Sequence, residues 1–182
     1  DSLNDAVEFN LKLPNKKKFK NIKFGHNVLV GNKVQIGKNS IIGHNTIIES
    51  NVILGMNCIV GNNVLIKNTI AGNNVRILDS TIIGKKGFGF FPDQKKNIRY
   101  PHIGMVIIED NVEIGCNNTI DRGSLSNTII GANTFIDNQV HIAHNVNIGK
   151  NCIITAQVGF AGSSKLGNNV SIGGQAGISG HL

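Results

Sequence analysis

The sequence predicts an all-β protein, a parallel β-helix of six-residue repeats shaped as a triangular prism with one inserted loop. Three observations support this prediction. Most of the chain repeats every six residues, each repeat carries two positions of small or β-branched residues, and each ends in residues that turn the chain. Aromatic residues make up 5% of the sequence and Trp is absent, which is typical of a stack of small side chains.

Each repeat has the same six positions, counted from Val28. Position three is nearly always Ile, Val or Leu, position one is small or β-branched, and position two varies. Because alternate side chains of a strand share a face, positions one and three should point inward and position two outward. Positions four to six hold Gly, Asn, Asp and Lys, which favour turns and left-handed backbone angles. Three repeats therefore close one triangular coil, and successive coils stack as parallel strands.

The repeat also predicts the domain organisation. Residues 1–27 form an N-terminal flank, which we interpret as the remnant of a larger domain, because the chain begins without Met. Residues 28–182 form the β-helix, and residues 87–105 form the inserted loop. Within the helix, Asn118 places an amide at an inward position, so it needs a hydrogen-bond partner.

Cysteine usage and hydropathy predict a cytoplasmic protein. Cys58, Cys116 and Cys152 form no CxxC pair and are odd in number, so we expect reduced thiols. Cys58 and Cys152 lie at position one and are predicted to pack in the core. No apolar run approaches the roughly 18 residues that a membrane span needs.

The net charge of +7 comes partly from a lysine cluster near the N-terminus. Its members are Lys16, Lys17, Lys18, Lys20 and Lys23. We favour a solvated flank over a binding patch. Nucleic acid is not expected as a partner, because no aromatic platform or recognition motif accompanies the lysines.

The loop at 87–105 interrupts the repeat with the segment GFGFFPDQKKNIRYPHIGM. Phe88, Phe90 and Phe91 lie close together there, and exposed phenylalanines are costly unless they cover something. Two interpretations stay open. The loop is either an arm that contacts the substrate or a neighbouring subunit, or a segment that simply packs on the coil.

Histidine spacing points to the segment DNQVHIAHNV at 137–146. His144 has Gly162 as its equivalent one coil later, and His181 follows on a similarly facing corner. A histidine that accepts a proton, beside an exposed amide N–H that stabilises an oxyanion, suits acyl transfer. The alternative is a hydrogen-bonded corner histidine, and for His141, which points outward at position two, that alternative is favoured. His26 and His44, one coil apart, are interpreted as a structural stack.

The repeat resembles the hexapeptide-repeat acyltransferases, and this resemblance implies a left-handed β-helix. The segments GFGF at 87–90, NNTIDRGS at 117–124, DNQVHIAHNV at 137–146 and GGQAGISGH at 173–181 also occur in matching order. They resemble the N-acyltransferases of lipid A biosynthesis, whose members transfer a 3-hydroxyacyl group from acyl carrier protein to the 2-amine of a UDP-sugar. The resemblance implies a homotrimer with active sites between subunits, and no cofactor or metal.

The resemblance also implies roles for single residues. His144 would be the general base, Gly162 would contribute the oxyanion N–H, and His181 would help to hold the substrate or the developing charge. The predicted substrate-binding residues are Asp137, Asn138, Gln139, His141, Phe88 and Phe90. Members of the family also carry an N-terminal uridine-binding domain and C-terminal helices that contact the carrier protein. We therefore expect this chain to be the central catalytic prism.

Three alternative functions stay open at the level of sequence. One is the UDP-N-acetylglucosamine O-acyltransferase of the same pathway, which also carries a HIAH segment. Another is a zinc hydratase of the γ-carbonic anhydrase type, with His141 and His144 as two of the ligands. A third is a non-catalytic prism that binds partners through its flat faces.

Overall fold

A computed structural model describes residues 8, 10–15 and 18–181 of the chain. Its main body is a coil whose strands form three parallel sheets, one on each face of the prism. The described residues contain no helix, and so none that could cross a membrane. Lys16 and Lys17 of the predicted lysine cluster lie outside the described residues.

The three sheets take one strand from each coil in turn. The first sheet contains Lys23–Phe24, Ile41–Ile42, Ile59–Val60, Arg76–Ile77, Glu113–Ile114, Phe135–Ile136, Ile153–Ile154 and Ser171–Ile172. The second contains Leu29–Val30, Ile47–Ile48, Leu65–Ile66, Ile82–Lys85, Thr119–Asp121, His141–Ile142, Gly159–Phe160 and Gly177–Ile178. The third contains Gln35–Ile36, Ile53–Leu54, Thr69–Ala71, Val106–Ile108, Thr128–Ile130, Asn147–Ile148 and Lys165–Leu166.

The coil begins before the first predicted repeat. Lys23–Phe24 pairs in parallel with Ile41–Ile42, so the first sheet starts within the segment assigned to the flank. Val28 opens the following unit and is fully buried. The remaining division of the chain into flank and coil stays a prediction.

The inward and outward positions follow the predicted alternation. Ile42 and Thr46, at positions three and one, are buried, whereas Ile41 at position two keeps 40% of its surface exposed. Cys58 and Cys152 are buried, as predicted for packing residues, and burial raises the pKa of the Cys58 thiol. The core is thus a column of small, branched side chains enclosed by three faces.

Hydroxyl groups at position one satisfy main-chain groups that face the interior. Thr46 Oγ1 accepts from the Val64 N–H at 3.2 Å and donates to the Gly61 carbonyl at 2.8 Å. Asn118 plays the same part, because its Oδ1 accepts from the Val140 N–H at 2.6 Å. The predicted partner of this buried amide is therefore found on its oxygen, whereas its Nδ2 has no hydrogen bond within the described residues.

Each corner depends on two special positions. Position six has left-handed backbone angles, as at Asn45 with φ 56° and Asn133 with φ 58°, where asparagine is well tolerated. Position four is mostly glycine, because successive coils approach closely there. A Cβ atom on Gly131 would lie 2.5 Å from the carbonyl carbon of Gly149 in the next coil.

We expect Gly131→Ala to cost roughly 1–3 kcal/mol of unfolding free energy, because the added methyl group forces two coils apart. The measurement is denaturant unfolding followed by circular dichroism. Gly159→Ala is the matched control, since a Cβ there meets nothing within 4 Å. Equal losses for the two variants would contradict this account of coil spacing.

Candidate active site

The candidate site lies at the corner that follows the second sheet. His144, Gly162 and Gly180 occupy position five of three successive coils there, so they form one column along the prism edge. We call this column the catalytic corner. His144 comes directly after the strand His141–Ile142, and Gly162 after Gly159–Phe160, which pairs with it in register. The predicted relation between His144 and Gly162 is therefore present in the structure.

Asn145 orients the His144 ring. Asn145 Oδ1 lies 2.9 Å from His144 Nδ1, and an amide oxygen only accepts, so Nδ1 carries the hydrogen in this arrangement. The same Oδ1 accepts from the Ser124 N–H at 3.1 Å and from Ser124 Oγ at 2.7 Å. Asn145 Nδ2 donates to the Ser126 carbonyl at 3.0 Å. Because this amide is fixed on both sides, the Nε2 lone pair of His144 is left available to accept a proton.

Gly162 leaves space beside that nitrogen. A Cβ atom on Gly162 would lie 2.8 Å from His144 Cε1 and 2.9 Å from Nε2, so any side chain would fill the space beside that nitrogen. The Gly162 N–H has no hydrogen-bond partner among the described residues. At several other corners the equivalent N–H donates to a side chain of the next coil, as the His44 N–H does to Asn62 Oδ1 at 2.8 Å. Gly180 has no side chain to do so.

The inserted loop, residues 87–105, folds over His144 as an arm. Its strands Phe90–Phe91 and Ile98–Arg99 pair as an antiparallel hairpin. The rings of Tyr100 and His102 stack at 5.4 Å, and the His102 ring meets His144 edge-on, with centroids 5.3 Å apart at 82°. The loop therefore packs on the coil and forms one wall of the catalytic corner.

His102 is a buried imidazole in that wall. It is 2% exposed, its Nδ1 lies 3.2 Å from the Tyr100 carbonyl, and its Nε2 has no partner within the described residues. Burial lowers the pKa of His102, and the neighbouring His144 adds to that effect, whereas the Tyr100 carbonyl opposes it. His102 is thus neutral at neutral pH.

His181 lies on the predicted corner, but not at the position equivalent to His144. Two coils on from His144 the equivalent residue is Gly180, and His181 follows it at position six, with φ 59°. Its N–H donates to the Gly162 carbonyl at 3.3 Å, and its side chain is exposed. The spacing argument therefore needs a correction of one residue. A substrate-holding role for His181 stays a prediction.

Asp137, Asn138 and Gln139 lie at a different corner, the one between the first and second sheets. Asn138 Oδ1 caps the Cys116 N–H at 2.7 Å, and Gln139 Oε1 accepts from Gln157 Nε2 at 2.9 Å. These side chains therefore serve their own edge of the coil. Within one chain the width of the second sheet separates them from His144, so their binding role stays a prediction.

His141 projects from the outer face of the second sheet between those two corners. Its Nδ1 lies 2.8 Å from Thr119 Oγ1, and its Nε2 lies 3.9 Å from the carboxylate of Asp121. Asp121 is buried and forms an ion pair with Lys85. These contacts within the chain account for the position of the His141 ring.

The phenylalanines of the arm are not equally exposed. Phe88 and Phe91 keep 71% and 62% of their surfaces exposed, whereas Phe90 is half-buried. The Phe88 and Phe90 rings meet at 5.0 Å, and the Arg99 guanidinium lies 5.5 Å above the Phe88 ring. The expectation of three exposed rings is therefore wrong for Phe90. A substrate contact of Phe88 and Phe90 stays a prediction.

Sequence analysis missed His102, Tyr100 and Asn145 as members of the site. The repeat places Asn145 at a corner but does not show what its amide contacts. For the arm, the segment Gly87-Phe88-Gly89 carried an overlooked signal. A Cβ atom on Gly87 would lie 2.8 Å from His144 Cβ and 2.9 Å from His102 Nε2, so its glycine permits the close approach of the arm.

No group of three or more His, Cys, Asp or Glu side chains within residues 18–181 and the described part of the flank is arranged to hold a metal ion. His141 and His144 each use Nδ1 in a contact within the chain. A zinc site of the kind considered from the sequence would therefore need ligands from another subunit.

Comparisons with known proteins support the same family. The profile of the bacterial transferase hexapeptide (six repeats) matches residues 33–68 and 127–162. A UDP-3-O-acylglucosamine N-acyltransferase of Rhizobium johnstonii is 53% identical over 77 residues, which is 42% of this chain and 22% of the relative. The enzyme of the same name from Rhizobium rhizogenes is 55% identical over 75 residues, 41% of this chain and 21% of the relative. The matched segment thus spans about a fifth of these relatives.

Solved structures with a similar fold include a UDP-N-acetylglucosamine O-acyltransferase. The UDP-N-acetylglucosamine O-acyltransferase of Moraxella catarrhalis RH4 is 29% identical with a TM-score of 0.54, over 88% of this chain and 57% of that one. LpxA of Acinetobacter baumannii is 25% identical with a TM-score of 0.55, over the same shares of the two chains. The predicted left-handed handedness of the β-helix is confirmed. Over residues 33–68 and 127–162 this chain is similar to the bacterial transferase hexapeptide, and over 75–77 residues it is similar to the UDP-3-O-acylglucosamine N-acyltransferases.

Proposed function

We propose that this chain is the catalytic β-helix of an N-acyltransferase of lipid A biosynthesis. It would move a 3-hydroxyacyl group from acyl carrier protein to the 2-amine of UDP-3-O-acyl-glucosamine. The observation that carries the proposal is the catalytic corner, where an oriented imidazole faces a glycine with an unpaired N–H. The names of the sequence relatives supply the substrate class.

His144 and Gly162 suffice for a direct transfer. His144 Nε2 takes a proton from the amine as its nitrogen attacks the thioester carbonyl, and the carbonyl oxygen becomes an oxyanion. The Gly162 N–H donates to that oxygen, which typically contributes roughly 10²–10³-fold. The tetrahedral intermediate then expels the carrier thiolate, which takes up the proton from the His144 imidazolium, so protons balance. No cofactor is required.

A UDP-sugar O-acyltransferase is the second candidate, because the solved structures at 25–29% identity carry that activity or its name. We expect an acyl carrier protein thioester and a glucosamine acceptor with a free 2-amine to give an amide product. The matched acceptor with a free 3-hydroxyl and an acetylated amine should give no ester. Mass spectrometry of the two products decides between the candidates, and ester formation alone would overturn the proposal.

A homotrimer and a cytoplasmic location belong to the same proposal. The first sheet leaves apolar side chains bare at position two, including Ile41, Phe135 and Ile153, which are 40%, 55% and 53% exposed. Apolar patches of this kind favour a partner surface. In a trimer the corner bearing Asp137 of one subunit could face the catalytic corner of another, which would give the predicted substrate-binding residues access to the base.

His144→Ala should lower kcat by roughly 10²-fold or more with little change in KM, because the base acts mainly in the transition state. His181→Ala should have a smaller effect that includes KM, and His141→Ala should be mildest. Steady-state kinetics in the amine assay measure all three variants. A His144→Ala enzyme that keeps most of its kcat would remove His144 as the base.

Gly162→Val should fold but lose turnover, because even its Cβ would lie 2.9 Å from His144 Nε2. Gly174→Ala is the control, a position-five glycine at another corner, where a Cβ would lie 3.2 Å from the Ala156 carbonyl oxygen and 3.7 Å from Thr155 Oγ1. Circular dichroism checks the fold, and the amine assay checks turnover. If Gly162→Val retained most of its activity, the oxyanion role of this residue would be wrong.

A further inference from the structure

The arm places a second imidazole behind His144. His102 is buried, and its only polar contact among the described residues is from Nδ1 to the Tyr100 carbonyl at 3.2 Å. A carbonyl oxygen only accepts, so Nδ1 carries the hydrogen and Nε2 carries a lone pair. That lone pair has no hydrogen-bond donor in the part of the chain that the structure describes.

Gly87 shows which side of His144 this nitrogen faces. The point where a Cβ on Gly87 would lie is 2.9 Å from His102 Nε2, 2.8 Å from His144 Cβ and 3.0 Å from His144 Cδ2. The corresponding point at Gly162 lies against Cε1 and Nε2 of the same ring. His102 Nε2 therefore lies near the Cβ and Cδ2 atoms of His144, whereas Gly162 lies beside Cε1 and Nε2. His102 is buried there.

A neutral group at this place has a definite electrostatic effect. When His144 accepts a proton, its whole ring becomes positive, and a lone pair at its carbon edge stabilises that cation. A second positive charge with centroids 5.3 Å apart would instead disfavour it by on the order of 10²-fold. The contribution of His102 thus depends on its staying neutral.

Burial keeps His102 neutral, because a buried imidazole without a partner disfavours its charged form. The other charged or titratable groups near it are His144, Lys86 and Asp121 on the coil, and Tyr100 and Arg99 in the arm. The pKa of His102 is lowered from 6.5, so it takes up a proton only at a pH below that value.

We propose that His102 is a positioning residue for the base: it holds the His144 ring edge-on and stabilises the imidazolium that proton transfer creates. This inference rests on the proposed function, because it assigns His102 a part in the same proton transfer. The chain would then use two neutral imidazoles, of which one accepts the proton and the other supports it.

The test compares two substitutions of His102 in the full chain. His102→Phe keeps a ring of similar size against His144 but removes the lone pair, so kcat should fall roughly tenfold while KM stays unchanged. His102→Gln offers an amide oxygen near the place of Nε2 and should keep kcat within about threefold of wild type. Ile103→Gln is the control, an exposed neighbour in the same arm, and should change neither constant.

The pH profile provides a readout that mere packing would not move. In wild type the fall of the logarithm of kcat/KM toward acid pH should steepen to a slope approaching two at a pH below 6.5, where His102 takes up its proton. In His102→Gln and His102→Phe the slope should stay at one. Thermal unfolding at each pH confirms that the variants remain folded over the range used.

Two results would overturn the inference. One is wild-type kcat in His102→Phe with an unchanged slope. The other is an equal loss in the Phe and Gln variants with KM rising in step, which would mean that His102 only packs the arm. Failure of the proposed function is a separate result, since then wild type would form no amide or His144→Ala would stay active.

Discussion

The close stacking of one coil on the next is the constraint on which the rest of this structure depends. Each strand bonds to its equivalent in the neighbouring coil, so the backbone has almost no freedom in spacing. Where glycine stands at position four, as at Gly131, a methyl group would meet the next coil. Left-handed angles at position six and hydroxyl groups at position one, such as Thr46, answer the same constraint. These requirements explain the repeat pattern in the sequence.

The catalytic corner differs from the regular coil at position five. At several other corners a side chain of the next coil accepts a hydrogen bond from the position-five N–H, as at His44, whereas this edge carries His144 followed by two glycines. The groups that hold His144 come from an irregular part of the chain. Ser124 and Ser126, which fix Asn145, belong to a shortened repeat, and the opposite wall comes from the arm. Regular coils thus set the backbone positions, and the two irregular segments set the environment of the base.

The coil, its inward positions and the pairing of His144 with Gly162 could be predicted from the sequence, because each depends only on position within the six-residue repeat. Counting also shows where sequence reasoning fails. The motif DNQVHIAHNV looks like one site, yet residues 137–139 and His144 lie on two edges of the prism, since residues 140–143 with the strand His141–Ile142 separate them. His181 lies one residue beyond the equivalent of His144. The arm has no repeating sequence pattern. The burial of Phe90 and the contact of His102 with His144 therefore depend on tertiary packing, which the local sequence does not predict.

The coil closes directly beneath the arm, and this has a consequence for how the protein can vary. Ile82 pairs with Thr119 and Ile83 with Ile120, so the second sheet continues across the insertion, with one register shift between Ile83 and Lys85. Thr69 pairs with Val106 immediately after the arm ends, so the third sheet does so as well. Changes in the length or composition of the hairpin therefore leave the pairing of the coil strands unchanged. Natural variation in the arm can therefore reshape the wall beside His144 while the coil that carries His144 keeps its geometry.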